Sequence, residues 1–163
     1  MAYSDVSNIL WRERQLLDLL HFKLEVEQSL LATGRTHWLS HATREIEMII
    51  EEVKQAELVR SMEVHSLCEQ LGVSETPTLR ALIGRLPEPW GGIFEDHRHA
   101  FLLAIQAILG LAESNRELLA RGYQAAREAL ATMGAEGVRT SGRDGTSTVS
   151  RACTAAALQN EVR

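Results

Sequence analysis

Apolar residues between Ile93 and Met133 return every three to four positions, as Phe94, Phe101, Ile105, Ile108, Leu111, Ala112, Leu118, Leu119, Tyr123, Ala126 and Leu130. That spacing keeps them on one face of a helix. The stretch has no proline and only two interior glycines, Gly110 and Gly122, so it reads as a single helix. At 1.5 Å rise per residue such a helix is roughly 60 Å long, about twice the width of a small globular core. One compact domain cannot cover it, so it must lie along other long helices, with part of its stripe left for a second protein.

The same periodicity runs through the first half of the chain. Leu10, Leu17, Leu20, Leu24 and Leu31 fall at heptad spacing, with Ile9, Leu16 and Leu30 on the adjoining row, which predicts a helix from about Asp5 to Ala32. Glu13, Lys23 and Glu27 interrupt this stripe, and Trp11, Phe22 and Val26 lie off it, so the helix is expected to have neighbours on more than one side. Gly34 is placed to end the helix in the left-handed conformation, and Thr36 to cap the next one. The second helix is expected from about His37 to Leu71, burying Leu39, Ala42, Ile46, Ile49, Ile50, Val53, Ala56, Val64, Leu67 and Leu71. Arg60 and Glu63 break its stripe, and Gly72 stops it. Two long helices joined by so short a connection run antiparallel.

All three prolines, Pro77, Pro87 and Pro89, follow this hairpin. Thr76 and Pro77 read as a cap and first helical residue, giving a short helix over Thr78 to Leu86. The PEPWGG corner places the start of the last helix between Pro89 and Ile93. The fold class is therefore all-α: an elongated antiparallel bundle, or coiled-coil hairpin, of three long helices plus a short connecting helix. The helical domain covers 1–133. Residues 134–163 hold four of the eleven glycines, many Ser and Thr and no aromatic residue, and this tail is expected to be disordered.

Composition narrows the function. The chain has 163 residues, is 45% hydrophobic and only 5% aromatic, and carries a net charge of −5. Without a clustered basic stripe it does not read as a nucleic-acid binder. No apolar run is long enough to span a bilayer and the N-terminus does not resemble a secretion signal, so a cytoplasmic location is expected. Cys68 and Cys153 form no disulfide or zinc spacing.

Candidate chemistry is sparse. His37, His41 and Glu45 can share one helix face, and Glu95, Asp96, His97 and His99 cluster near the start of the last helix. A catalytic zinc takes three protein ligands, and a ferritin-like di-metal bundle takes a Glu-x-x-His pair on each of two helices. The chain contains no Glu-x-x-His; no metal, cofactor or catalytic residue is expected. Asn115 interrupts the apolar stripe of the last helix and reads first as a register marker, since a polar side chain there is costly unless it is hydrogen-bonded. Gly110 and Gly122 suggest close approach of another helix.

The segment LWRERQLLDLLHFKLEVEQSLLATGRTHWLSHATREIEMIIEEV, followed by EDHRHAF and NRELLARGYQAAREAL, resembles the FlgN family of flagellar export chaperones in the form found in high-GC Gram-positive bacteria. The similarity spans roughly residues 9 to 133. Asn115 to Leu119 match the asparagine and leucine pair of the family's last helix. The resemblance implies a non-enzymatic cytoplasmic protein that binds the helical terminal segments of hook-associated flagellar proteins and delivers them to the export apparatus. It directs attention to the C-terminal half of the last helix, where Leu111, Asn115, Leu118, Leu119, Tyr123, Ala126 and Leu130 are the expected partner-binding residues. These leucines can also be read as core, and the same stripe as the seam of a homodimer without an export client; a helical-bundle metalloenzyme is the third reading.

Overall fold

The computed structural model describes residues 2–73 and 78–140, and within these the regular structure is helical, with no strand. The elements are α1 (Ala2–Ala32), a 3₁₀ turn (Thr36–Trp38), α2 (Leu39–Gln70), α3 (Leu79–Ile83) and α4 (Trp90–Thr140). The chain divides into two units, Met1–Gln124 and Ala125–Arg163. The first contains α1, α2, α3 and most of α4. The described part of the second is the continuation of α4 over 125–140.

Glycines set both ends of the hairpin. Gly34 and Gly72 take φ of +68° and +67°, where a Cβ would be strained. At the first, the Arg35 amide donates to the Leu30 carbonyl and the Gly34 amide to Leu31; at the second, Val73 donates to Cys68 and Gly72 to Glu69. Both are Schellman closures, which satisfy carbonyls that the helix end leaves open. The expected cap at Thr36 does not form. A 3₁₀ turn intervenes, α2 begins at Leu39, and the residue preceding it, Trp38, supplies no capping side chain. The short helix is capped by Thr78, whose hydroxyl accepts from the Ala81 amide at 3.3 Å. Thr76 and Pro77, the expected cap and first residue, lie outside the described residues.

Cross-helix pairs define the topology. Glu13 meets Arg60, Lys23 meets Glu45, and Glu27 meets Thr43, so α1 and α2 run antiparallel. Tyr3 stacks on Trp90, Ser7 contacts His97 and Gln28 bonds Ser114, so α4 lies parallel to α1. Two apolar clusters hold the three helices. One joins Val6 and Leu10 of α1, Val64, Leu67 and Cys68 of α2, Leu82 of α3 and Phe94 of α4. The other joins Leu20 and Leu24 with Ile46 and Ile49, against which Ile108 and Leu111 of α4 pack. Each leucine-sized side chain so buried contributes about 1.5 to 3 kcal/mol, far more than helix propensity supplies.

Trp11 and Phe22 remain half-exposed. Gly110 and Gly122 do not mark a close helix crossing, because a Cβ at either position would meet nothing within 4 Å. Gly110→Ala is therefore expected to stabilise the first unit by about 0.5 to 1 kcal/mol, through lower entropy of the unfolded chain. Urea unfolding checks this: a fall in the midpoint would show that the position is tightly packed after all. The last helix extends to Thr140, beyond the expected end at Met133; residues 141–163 of the expected tail lie outside the described residues.

Candidate functional site

The inward row of α4 is Phe94, His97, Phe101, Ala104, Ile108, Leu111, Asn115 and Leu118, spaced strictly three and four apart, and every member is buried or half-buried. That is the seam of a coiled-coil-like packing against α1 and α2. Continued at the same spacing, the row passes to Gly122, Ala125 and Ala129, all small and exposed. The larger apolar residues shift by one position instead. Leu119 and Tyr123 in the first unit are exposed, as are Ala126, Leu130 and Met133 in the second, with Tyr123 at 61% and Leu130 at 69% relative exposure. One residue along a helix rotates about 100°, so Leu119 is turned to the side of the seam residue Leu118.

The seven expected partner-binding residues therefore separate. Leu111 packs on the second core cluster, and Asn115, 2% exposed, is buried. Its Nδ2 donates to the Leu24 carbonyl at 2.9 Å and to Glu27 Oε2 at 3.0 Å, while Thr43 donates to the other oxygen of Glu27 at 3.2 Å. These two residues face the bundle rather than a partner, and Asn115 fixes the register of α4 on α1. Leu118 is half-buried at the edge, and Leu119 and Tyr123 are exposed in the first unit. Ala126 and Leu130 are exposed in the second.

Two further polar groups lie inside the bundle: Glu13, visible in the sequence as an interruption of the first stripe, and His97, visible there only as a member of a possible ligand cluster. Glu13 accepts from Arg60 Nε at 2.9 Å. Burial raises its carboxyl above the usual range; the Arg60 charge and hydrogen bond oppose this, and the charge of Glu57 adds to it. Beside the pair lies an opening of about 280 Å³, walled also by Leu17, Val53, Phe101 and Ile105.

His97 is almost fully buried, edge-on to Trp11 with ring centroids 5.2 Å apart. Burial lowers its pKa, the Arg14 charge lowers it further, and Asp96 opposes both. Above the ordinary histidine value near 6.5 the ring is neutral in folded and unfolded chains alike and adds no pH dependence. Below that value the unfolded chain takes up a proton that the folded chain resists, so stability falls with acid until the folded ring itself titrates. Urea unfolding between about pH 7 and 5 is expected to lose stability less steeply in His97→Gln than in the parent, by the slope of one proton at most. Identical slopes would show that His97 does not contribute.

The candidate metal ligands are placed otherwise. His37 and His41 each make a tilted ring contact with Trp38, at 5.0 and 5.6 Å between centroids, and Glu45 is held by Lys23 at 2.7 Å. Among the described residues, no three His, Cys, Asp or Glu side chains are grouped to hold a metal, and no helix is long and apolar enough to cross a membrane.

A helical hairpin with α4 packed along it defines a helical-bundle protein. The model of the family described as FlgN protein matches residues 1–148, and the chain belongs to that family. Membership supports a role as a flagellar export chaperone, with hook-associated proteins as the class of partner. No curated protein and no solved structure matches the chain.

Proposed function

We propose that this chain is a cytoplasmic chaperone that binds the helical terminal segments of hook-filament junction proteins along α4, keeps them from assembling early, and hands them to the flagellar export apparatus. The observation that carries the reading is the one-position shift of the apolar row after Leu118. Leu119, Tyr123, Ala126 and Leu130 follow the i, i+4, i+7, i+11 spacing by which one amphipathic helix reads another, and all four are exposed. The three large anchors, Leu119, Tyr123 and Leu130, give a gross gain of about 4.5 to 9 kcal/mol, which association and ordering costs reduce to roughly micromolar affinity or weaker.

Calorimetric titration with a synthetic terminal helix of a hook-associated protein, alongside light scattering of the free chain, tests the proposal. One helix bound per chain supports it. A stable dimer that dissociates at no accessible dilution and binds no client helix would assign the row to self-association instead.

A further inference from the structure

The tip of the α1–α2 hairpin differs in charge from the rest of the molecule. Between Gln28 and Arg44 there is no aspartate or glutamate, while Arg35, His37, His41 and Arg44 are all present. With the histidines neutral this segment carries +2 in a chain of −5, leaving −7 on the remainder. All four side chains are exposed. Lys23, Arg60, Arg98, Arg116 and Arg121 each pair with a carboxylate, whereas Arg35 and Arg44 have no such partner among the described residues. Acidic residues resume at Glu45, which Lys23 engages, and Glu47 lines the same shallow opening as His41 and Arg44.

A second feature accompanies this charge. At the centre of the tip Trp38 is 51% exposed, with its ring centroid 5.0 Å from that of His37 and 5.6 Å from that of His41. A large exposed aromatic ring gives contact area with few rotatable bonds to order.

We propose that the hairpin tip is a second docking site, for a short acidic segment of a partner protein, in which Arg35 and Arg44 meet carboxylates and Trp38 meets an apolar or aromatic side chain between them. The site lies on the hairpin and does not depend on the client reading of α4. Its size selects the occupant. Two arginines and two histidines match a few carboxylates, whereas nucleic-acid binding draws on about six to ten phosphate contacts. The acidic remainder of the chain also disfavours close approach to an extended anionic surface such as a membrane or RNA.

The test uses the full chain and a fluorescein-labelled, glutamate-rich peptide of about eight residues with one central phenylalanine, followed by fluorescence anisotropy at about 50 mM salt, where charge attraction is weakly screened. The peptide is expected to bind, to weaken as salt rises, and to lose at least about tenfold in affinity in Arg35→Glu/Arg44→Glu. Circular dichroism is expected to be unchanged in that variant. Trp38→Ala is expected to weaken the peptide as well, and Arg80→Glu/Arg85→Glu to leave it bound. Absence of binding, equal loss in both charge-reversal pairs, or tighter binding of oligouridylate or phosphatidylglycerol vesicles in competition would overturn the assignment. Titration of the same variants with a client terminal helix separates the two sites, since the tip reversals should leave that affinity in place.

Discussion

Leu119→Glu is expected to abolish binding of a client helix and leave the fold intact, whereas the same change one residue earlier, at Leu118, is expected to destabilise the bundle. The two leucines are neighbours in sequence but lie on different rows of α4. Leu118 ends the inward row that includes Asn115 and Leu111, and Leu119 begins the exposed one. A charge on an exposed residue costs about 0.5 kcal/mol or less, so the melting temperature of Leu119→Glu should shift by a few degrees at most. At a binding hot spot a similar change costs about 2 to 4 kcal/mol, which is a loss of thirtyfold or more in affinity. At Leu118, half-buried at the end of the inward row, the charge must be partly desolvated, and the fold bears the penalty. Melting followed by circular dichroism, with client titration on the same samples, reads both effects. Equal melting of the two variants would show that the row assignment is wrong.

Arg60→Met is expected to destabilise the protein by about 2 to 3 kcal/mol at neutral pH. Removing one partner of a buried ion pair leaves the other charge uncompensated, at about 3 to 5 kcal/mol when the site is fully dry. Here the Arg60 side chain is one-third exposed and Glu13 only 6%, so water reduces the penalty. The pH dependence gives the effect a signature. A carboxyl whose folded pKa is raised disfavours the fold when ionised, and the cost disappears as acid protonates it. The loss in Arg60→Met should therefore be largest at neutral pH and shrink as pH falls through the folded pKa of Glu13. Adding Glu13→Leu should restore most of the lost stability, because no charge is then left to bury. Urea midpoints of the single and double variants check this. A loss that persists unchanged in the double variant would mean that Arg60 acts through packing of its stem instead.

Much of the fold could be read in the chain because the signals for it are local. Gly34 and Gly72 end their helices as their conformational freedom suggests, and the proline corner places the start of α4 at Trp90. The pairing of Glu13 with Arg60 was accessible too. In an antiparallel hairpin, residues nearly equidistant from the turn meet, and Glu13 with Arg60, Lys23 with Glu45, and Glu27 with Thr43 all satisfy that rule. The interruptions Glu13 and Arg60 are each other's partners.

The candidate site was harder to read because α4 has two apolar rows one residue apart. Ile105 and Ile108, or Leu118 and Leu119, satisfy a three-to-four spacing equally well. Only the neighbours supplied by α1 and α2 decide which member is buried, and those are tertiary contacts. Asn115 shows the same limit. Its place on the stripe was plain, but its partner Glu27 lies on another helix, so the residue that marks register could not be told from one that meets a client. At the tip, Thr36 had the chemistry of a cap but a 3₁₀ turn took its place, and the signal for a docking surface there was the absence of acidic residues rather than any motif.

Amide hydrogen exchange of the full chain, with and without a client terminal helix, tests the central claim most directly. Backbone amides around Leu119, Tyr123, Ala126 and Leu130 lie in a helix whose side chains here are exposed, so their local opening should be frequent in the free protein. Exchange over 118–133 of α4 is expected to slow when the client helix binds, with little change around the buried Leu67 and Phe94. Protection confined to α1 or α2, or no protection on α4 at saturating client, would contradict it.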